Sequence, residues 1–203
     1  MSAAAPEVGA VVLAAGLSRR MGGGNKLLLE IEGVPLVARV ADAALASRAR
    51  PVVVVTGHEA ARVCAALAGR AVAFAHNPDY AAGLSASLRT GLAALPAEVD
   101  GAIVCLADMP WVRAAHIDAL LDAFAASGSR AICVPSYAGQ RGNPVLWPAC
   151  CFGEIAALTG DQGARSVLER HADGVCHVPI ADPGVTLDVD TPGALDERVP
   201  GRP

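Results

Sequence analysis

Gly9-Ala-Val-Val-Leu-Ala-Ala-Gly16 is the stretch on which the reading of the whole 203-residue chain turns. It is short, unbroken and apolar, with two adjacent valines at its centre, the pattern of a parallel strand buried on both faces. It ends at a glycine. The segment that follows, Leu17-Ser-Arg19-Arg-Met-Gly22-Gly-Gly-Asn-Lys26, brings together backbone freedom, exposed N–H groups and cationic side chains. That combination suits a polyphosphate cradle, and the carboxyl end of a buried strand is where open α/β sheets take their ligands. Two familiar phosphate motifs are absent. A P-loop needs Ser or Thr after its Gly-Lys, whereas Lys26 stands between Asn25 and Leu27. A dinucleotide fingerprint needs G-x-G-x-x-G, whereas Gly16 is followed by Leu17 and Ser18.

Outward from this strand the pattern alternates. Residues 35–46 open on proline and carry apolar residues at helical spacing, and Pro51-Val-Val-Val-Val-Thr56 is a second buried strand. Residues 58–68 read as a helix, 71–75 as a strand, 83–95 as a helix led in by a turn-forming cluster, and 101–107 as a fourth buried strand. Then come a helix over 114–127, a strand over 131–135 and a turn-rich excursion to 143. Residues 144–147 read as an extended edge segment, where proline is tolerated. A last helix spans about 160–170, and 185–187 is extended. This order predicts the α/β class: a single, doubly wound, mostly parallel sheet with right-handed crossovers and a small edge excursion. One domain over 8–196 is expected, with flexible tails at 1–7 and 197–203. The chain is 53% hydrophobic but only 3% aromatic, so its core must be built from Ala, Val and Leu.

A formal net charge of -4 argues against a general nucleic-acid binder. The cations cluster instead at Arg19, Arg20 and Lys26, which suits a small anionic ligand. The six cysteines form no C-x-x-C pair and lie mostly inside apolar runs, so they read as buried, reduced thiols of a cytoplasmic protein. Neither a signal peptide nor a membrane span is visible.

Several polar residues fall where chemistry is expected. Asp108 follows the fourth strand directly, aimed at the crevice of the glycine loop, where it can hold a divalent cation or simply form a turn before Pro110. Asp188 and Asp190 share one side of an extended segment, and Asp190 can serve a cation or cap a helix from Pro192. Ser85 can cap the helix that Gly83 begins, or meet a phosphate. Arg141 and Asn143 offer an anion contact and an amide on one turn. Asp161 is a good cap, and Arg165, near a helix start, is electrostatically misplaced unless it faces an anion. His58 and His76 have no nucleophile in a recognisable motif nearby and are assigned no chemistry.

Leu13-Ala-Ala-Gly16-Leu-Ser-Arg19-Arg-Met21-Gly22 with Lys26 after a glycine spacer resembles the signature loop of the MobA-like nucleotidyltransferases, most closely the molybdenum cofactor cytidylyltransferases. Matching blocks follow at Asn77 to Leu88, Ala107 to Trp111, Arg141 to Val145, Gly160 to Arg165 and Asp188 to Pro192. The resemblance implies a Rossmann-like nucleotidyltransferase fold and Mg²⁺-dependent transfer of CMP from CTP to the phosphate of molybdenum-bearing molybdopterin, with release of pyrophosphate. It implies that Leu13, Ala14, Ala15 and Gly16 line the base pocket, with Asn77, Gly83 and Ser85 beside the nucleotide. Arg19 and Lys26 would neutralise the triphosphate, and Asp108 and Asp190 would hold Mg²⁺. Arg141, Asn143, Asp161 and Arg165 would face the acceptor, and a molybdenum hydroxylase is the implied partner. In guanylyl-transferring relatives the tetrapeptide is Leu-Ala-Gly-Gly; Ala15 adds a methyl that narrows the pocket toward a pyrimidine, which leans the choice to CTP over GTP. Alternatives are transfer to another phosphorylated acceptor and a non-catalytic nucleotide-binding accessory role.

Overall fold

A computed structural model describes residues 5–18, 24–160 and 163–190. Val8–Ala14 forms β1, every residue of it buried. It lies between two parallel partners, Val52–Thr56 (β4) and Gly101–Leu106 (β6), so both faces and both edges are covered. This is why its sequence is an uninterrupted apolar run. Ala73–His76 (β5) extends the sheet beyond β4. On the other side β6 is followed by Val145–Pro148 (β9), Ile132–Tyr137 (β7) and Val175–Pro179 (β10), with Gln140–Arg141 (β8) paired to β7. The order across the sheet is β10-β7-β9-β6-β1-β4-β5, the mostly parallel α/β architecture expected.

Period-two alternation along β1 sorts its side chains into two cores. Ala10, Val12 and Ala14 face the layer built by α1 (Leu36–Ala46), α2 (Ala60–Ala66) and α4 (Ala114–Ala126). Val11, Leu13 and Ala15 face α3 (Leu84–Ala93), α5 (Phe152–Ala156) and α6 (Arg165–Arg170). Gly91 lets α3 lie directly on the sheet, because a Cβ there would run into Val11 and Val55.

The structure corrects several expectations. Residues 145–148 are not an edge: β9 runs antiparallel between β6 and β7. Proline is accommodated because Pro144 precedes the strand and Pro148 is its last residue, so no interior ladder N–H is lost. The edge on that side is β10, whose sequence Val-Cys-His-Val-Pro is only partly buried and shows no apolar run. Residues 185–187 are not a strand. Asp182 accepts the Gly184 N–H at 2.7 Å and caps a 3-10 turn, Pro183–Val185. The helix expected from Pro35 begins at Leu36, because Pro35 is drawn into a two-stranded hairpin, Glu30–Ile31 (β2) with Val34–Pro35 (β3). The cysteines are unpaired, but only Cys105, Cys133 and Cys151 are buried; Cys64 and Cys176 are half-buried and Cys150 is exposed on a 3-10 turn. Burial pushes the Cys105 thiol up to about 12. Of the expected tails, residues 1–4 and 197–203 lie outside the described residues, while Glu7 exchanges two hydrogen bonds with Asp100. Among the described residues, no helix is long and apolar enough to cross a membrane.

His116 closes the first turn of α4: its Nδ1 accepts the Arg113 N–H at 3.3 Å, which only a neutral imidazole can do. Burial pushes His116 below the ordinary imidazole range, against the pull of Asp182, whose Oδ2 is 3.7 Å from Nε2. A depressed folded-state value means the stabilisation is complete above an imidazole's ordinary pKa, about 6.5, and is lost as pH falls through the folded value. The melting temperature should therefore drop between pH 7.5 and 5.5, and less so in His116→Gln. Parallel pH profiles of the two proteins would remove His116 from this role.

Candidate active site

A cleft of about 720 Å³ opens at the carboxyl ends of β1 and β6. Its polar end is assembled from three distant segments. The Ala107 N–H donates to Leu13 O at 3.2 Å, holding the end of β6 beside that of β1 and placing Asp108 at the rim. The Val189 N–H donates to Asp108 O at 2.9 Å, which draws the 183–190 segment alongside. Lys26 comes from a 3-10 turn, Lys26–Leu28, capped by Asn25 Oδ1 on the Leu27 N–H at 3.1 Å. The Lys26 N–H is in turn held by Ser18 Oγ at 3.1 Å. Lys26 Nζ then sits 2.6 Å from Asp108 Oδ2 and 3.4 Å from Asp190 Oδ1.

Burial works against the charge on Lys26, but Asp108 and Asp190 outweigh it and raise its pKa above that of an ordinary lysine. Asp108 and Asp190 thus bring two carboxylates, from segments far apart in the sequence, to one ammonium. That arrangement fits a divalent cation: Mg²⁺ binds through one or two carboxylates and completes its shell with phosphate oxygens and water. Among the described residues no group of three or more His, Cys, Asp or Glu is gathered, so this pair would need substrate oxygens to complete a metal shell.

The remaining lining is largely apolar. Leu13, Ala15 and Gly16 come from the end of β1, Leu106 from β6, and Tyr80, Ala81, Ala82, Gly83 and Leu84 from the entry to α3. Gly57, after β4, cannot carry a side chain, because a Cβ would be 2.8 Å from the Ala15 methyl and 2.6 Å from Tyr80 Cβ. The Ala15 methyl is thus braced from behind. Gly83 starts α3 with φ 107, a conformation suited to glycine.

The sequence-derived candidates divide accordingly. Lys26, Asp108, Asp190, Leu13, Ala15, Gly16 and Gly83 all line the cleft. Ala14 is buried among the residues of the opposite sheet face. Asn77 is buried and braces the turn before α3: its Oδ1 accepts the Asp79 N–H, and its N–H donates to Thr56 O. Ser85 neither caps α3 nor lines the cleft; its hydroxyl is buried without a partner among the described residues. Arg141 is exposed on β8, and Asn143 uses its N–H on Val185 O at 2.8 Å. Arg165 is exposed and pairs with Glu169 Oε1 at 2.9 Å, one turn along α6, so its position at a helix start needs no external anion. Arg19 and Asp161 lie outside the described residues. Tyr80 and Ser87 are among the lining residues that were not singled out from the sequence. Ser87 was identifiable in principle, since it precedes Gly91 by one helical turn and shares its sheet-facing side.

The family described as the MobA-like NTP transferase domain matches residues 10–175. The chain is 33% identical to the purine catabolism protein PucB of Bacillus subtilis over 92% of its own length and 93% of the relative's. It is 30% identical to the nicotine blue oxidoreductase of Paenarthrobacter nicotinovorans, over 92% and 93%. It is 28% identical to the molybdenum cofactor cytidylyltransferase of Escherichia coli, over 90% of each chain. Among solved structures it superposes on Rv0371c from Mycobacterium tuberculosis with a TM-score of 0.84 and 30% identity, covering 95% of this chain and 97% of that one. A manganese complex of Rv0371c matches with a TM-score of 0.76 and 28% identity, covering 94% and 97%.

Proposed function

Because the chain belongs to the MobA-like NTP transferase family, we propose that it transfers CMP from CTP to the phosphate of molybdenum-bearing molybdopterin and releases pyrophosphate. The observation that carries this is the meeting of Asp108 and Asp190 on the Lys26 ammonium at the edge of a largely apolar cleft. A base fits the apolar end and a triphosphate the charged one.

In this reaction an oxygen of the acceptor phosphate forms a bond to the α-phosphorus of CTP as the bond to the β-bridging oxygen breaks. A phosphate monoester is largely dianionic at pH 7, its second pKa being about 6, so the attacking oxygen needs no general base. That agrees with a cleft whose lining, among the described residues, offers Lys26, Asp108 and Asp190 but no histidine. The protein's task is alignment and neutralisation of charge. Lys26 would meet the charge that builds on the departing pyrophosphate, and Asp108 and Asp190 would hold Mg²⁺. When bound, that ion would neutralise phosphate oxygens of the substrate. Arg19 would add a second cation from the glycine loop. The acceptor would enter past Gly160, which lines the cleft and precedes Asp161 and Arg165. Arg141 and Asn143 would also face the acceptor; the Asn143 N–H is held by Val185 O, on the segment that leads to Asp190.

The braced Ala15 methyl supports the lean to CTP over GTP, because it has no room to retreat toward Gly57. The test is pyrophosphate release by purified protein supplied with CTP, GTP, ATP or UTP, each with Mg²⁺ and molybdenum-bearing molybdopterin. CTP should react fastest, and Ala15→Gly should move the preference toward GTP, within the roughly ten- to two-hundredfold that one methyl can discriminate. Release with none of the four, whether molybdopterin or another phosphorylated acceptor is supplied, would refute the transferase assignment. Release only with another phosphorylated acceptor would refute molybdopterin alone.

A further inference from the structure

Asn77 and Ser87 form a hydrogen-bonded chain whose direction is set by chemistry. Asn77 Oδ1 accepts the backbone N–H of Asp79 at 3.0 Å, and Asn77 Nδ2 donates to Ser87 Oγ at 3.0 Å. A backbone N–H can only donate, so the amide oxygen must face Asp79 and the amide nitrogen must face Ser87. Ser87 Oγ therefore spends a lone pair on Asn77 and keeps its own proton to give elsewhere. In a helix such a proton ordinarily goes to the carbonyl four residues back, as Thr90 donates to Ala86 O at 2.9 Å. Ser87 has no corresponding bond among the described residues, although only 5% of it is exposed. It does line the cleft. One turn further on, Gly91 lies against Val11 and Val55, so this side of α3 faces β1 and β4. Ser87 consequently stands at the apolar end of the cleft, with Leu13, Ala15 and Tyr80.

We propose that Asn77 is a positioning residue that fixes the Ser87 hydroxyl as a hydrogen-bond donor to an acceptor atom on the nucleotide base. The inference rests on the assignment of the cleft to a nucleoside triphosphate and adds which edge of the base is read. Cytosine offers N3 and O2 as acceptors; uracil carries a proton on N3. O2 is an acceptor in both bases, so the discrimination lies at N3: a donor of fixed direction there favours CTP over UTP, which size alone cannot do.

Calorimetric titration of the full-length protein with CTP and UTP, followed by steady-state kinetics, tests this. Ser87→Ala should weaken CTP binding about five- to tenfold and raise KM, with kcat within about twofold of native. Asn77→Asp is close to isosteric but reverses the chain: its carboxylate accepts from both Asp79 N–H and Ser87 O–H, turning the proton away from the cleft. It should weaken CTP at least as much as Ser87→Ala, raise the affinity ratio of UTP to CTP, and add nothing further to the Ser87→Ala background. Native-like CTP binding by a folded Ser87→Ala protein overturns the relay, and this arm stands even where Asn77→Asp does not fold. Equal losses from Asn77→Asp with and without Ser87 would also overturn it, showing Asn77 to be merely structural. Failure of the native protein to bind any triphosphate would instead overturn the nucleotide assignment itself, and the relay with it.

Discussion

Asp108→Asn is expected to lower pyrophosphate release by about a thousandfold, roughly 4 kcal/mol of barrier, while leaving the melting temperature near native. The substitution keeps the shape of the side chain and removes its charge. Lys26 then loses the closer of its two carboxylate partners, at 2.6 Å, and the rim of the cleft loses one of the two carboxylates that suit a cation. Stability should change little, because an asparagine amide oxygen can still accept from the Lys26 ammonium and Asp190 remains as its counter-charge. The check has two arms: turnover with CTP, and Mn²⁺ affinity by electron paramagnetic resonance without nucleotide, which should weaken in the variant. Turnover above a tenth of native, with Mn²⁺ affinity unchanged, would take Asp108 out of the proposed cation site.

Phe124→Ala should destabilise the fold by about 3 to 5 kcal/mol. Phe124 is fully buried where α4 packs on the sheet, and its ring lies where a Cβ on Gly101 would be, 3.0 Å away. The helix and β6 are each fixed by other contacts, so the void cannot close completely. Urea unfolding monitored by circular dichroism measures the loss; a change under about 1 kcal/mol would mean that the layers collapse into the gap. Gly101 opens β6 and Asp108 lies in the turn beyond its other end, Leu106, so the strand alone separates them by about 17 Å. The variant should therefore keep near-native turnover at temperatures where it is folded, which separates damage to the core from damage to the cleft.

Much of the architecture was legible because its causes are local. A strand buried on both faces must be a continuous apolar run, so β1, β4 and β6 were visible as Val-rich segments. The helices between them carry their own periodicity. β10 and α5 were missed because neither carries enough apolar pattern; what makes β10 a strand is its pairing with β7, from Val175 opposite Ile132 to Pro179 opposite Ser136. The interior place of β9 was also invisible. Its prolines forbid the middle of a ladder but say nothing about which strands lie beside its ends.

The same division holds at the cleft. The sequence by itself determined the inventory: a glycine-rich basic loop after a buried strand, acids at two strand ends or turns, and a helix opened by glycine and serines. Only the tertiary structure decided which of these meet. Lys26 touches partners 82 and 164 positions away, through a backbone bond from Val189 to Asp108 that no local pattern encodes. It also separated Ser87, which faces the cleft, from Ser85, which does not, and showed Arg165 satisfied by Glu169. The physical reason is the same throughout: burial pattern and backbone preference act within a few residues, whereas charge pairing and hydrogen-bond direction depend on what folding carries into reach.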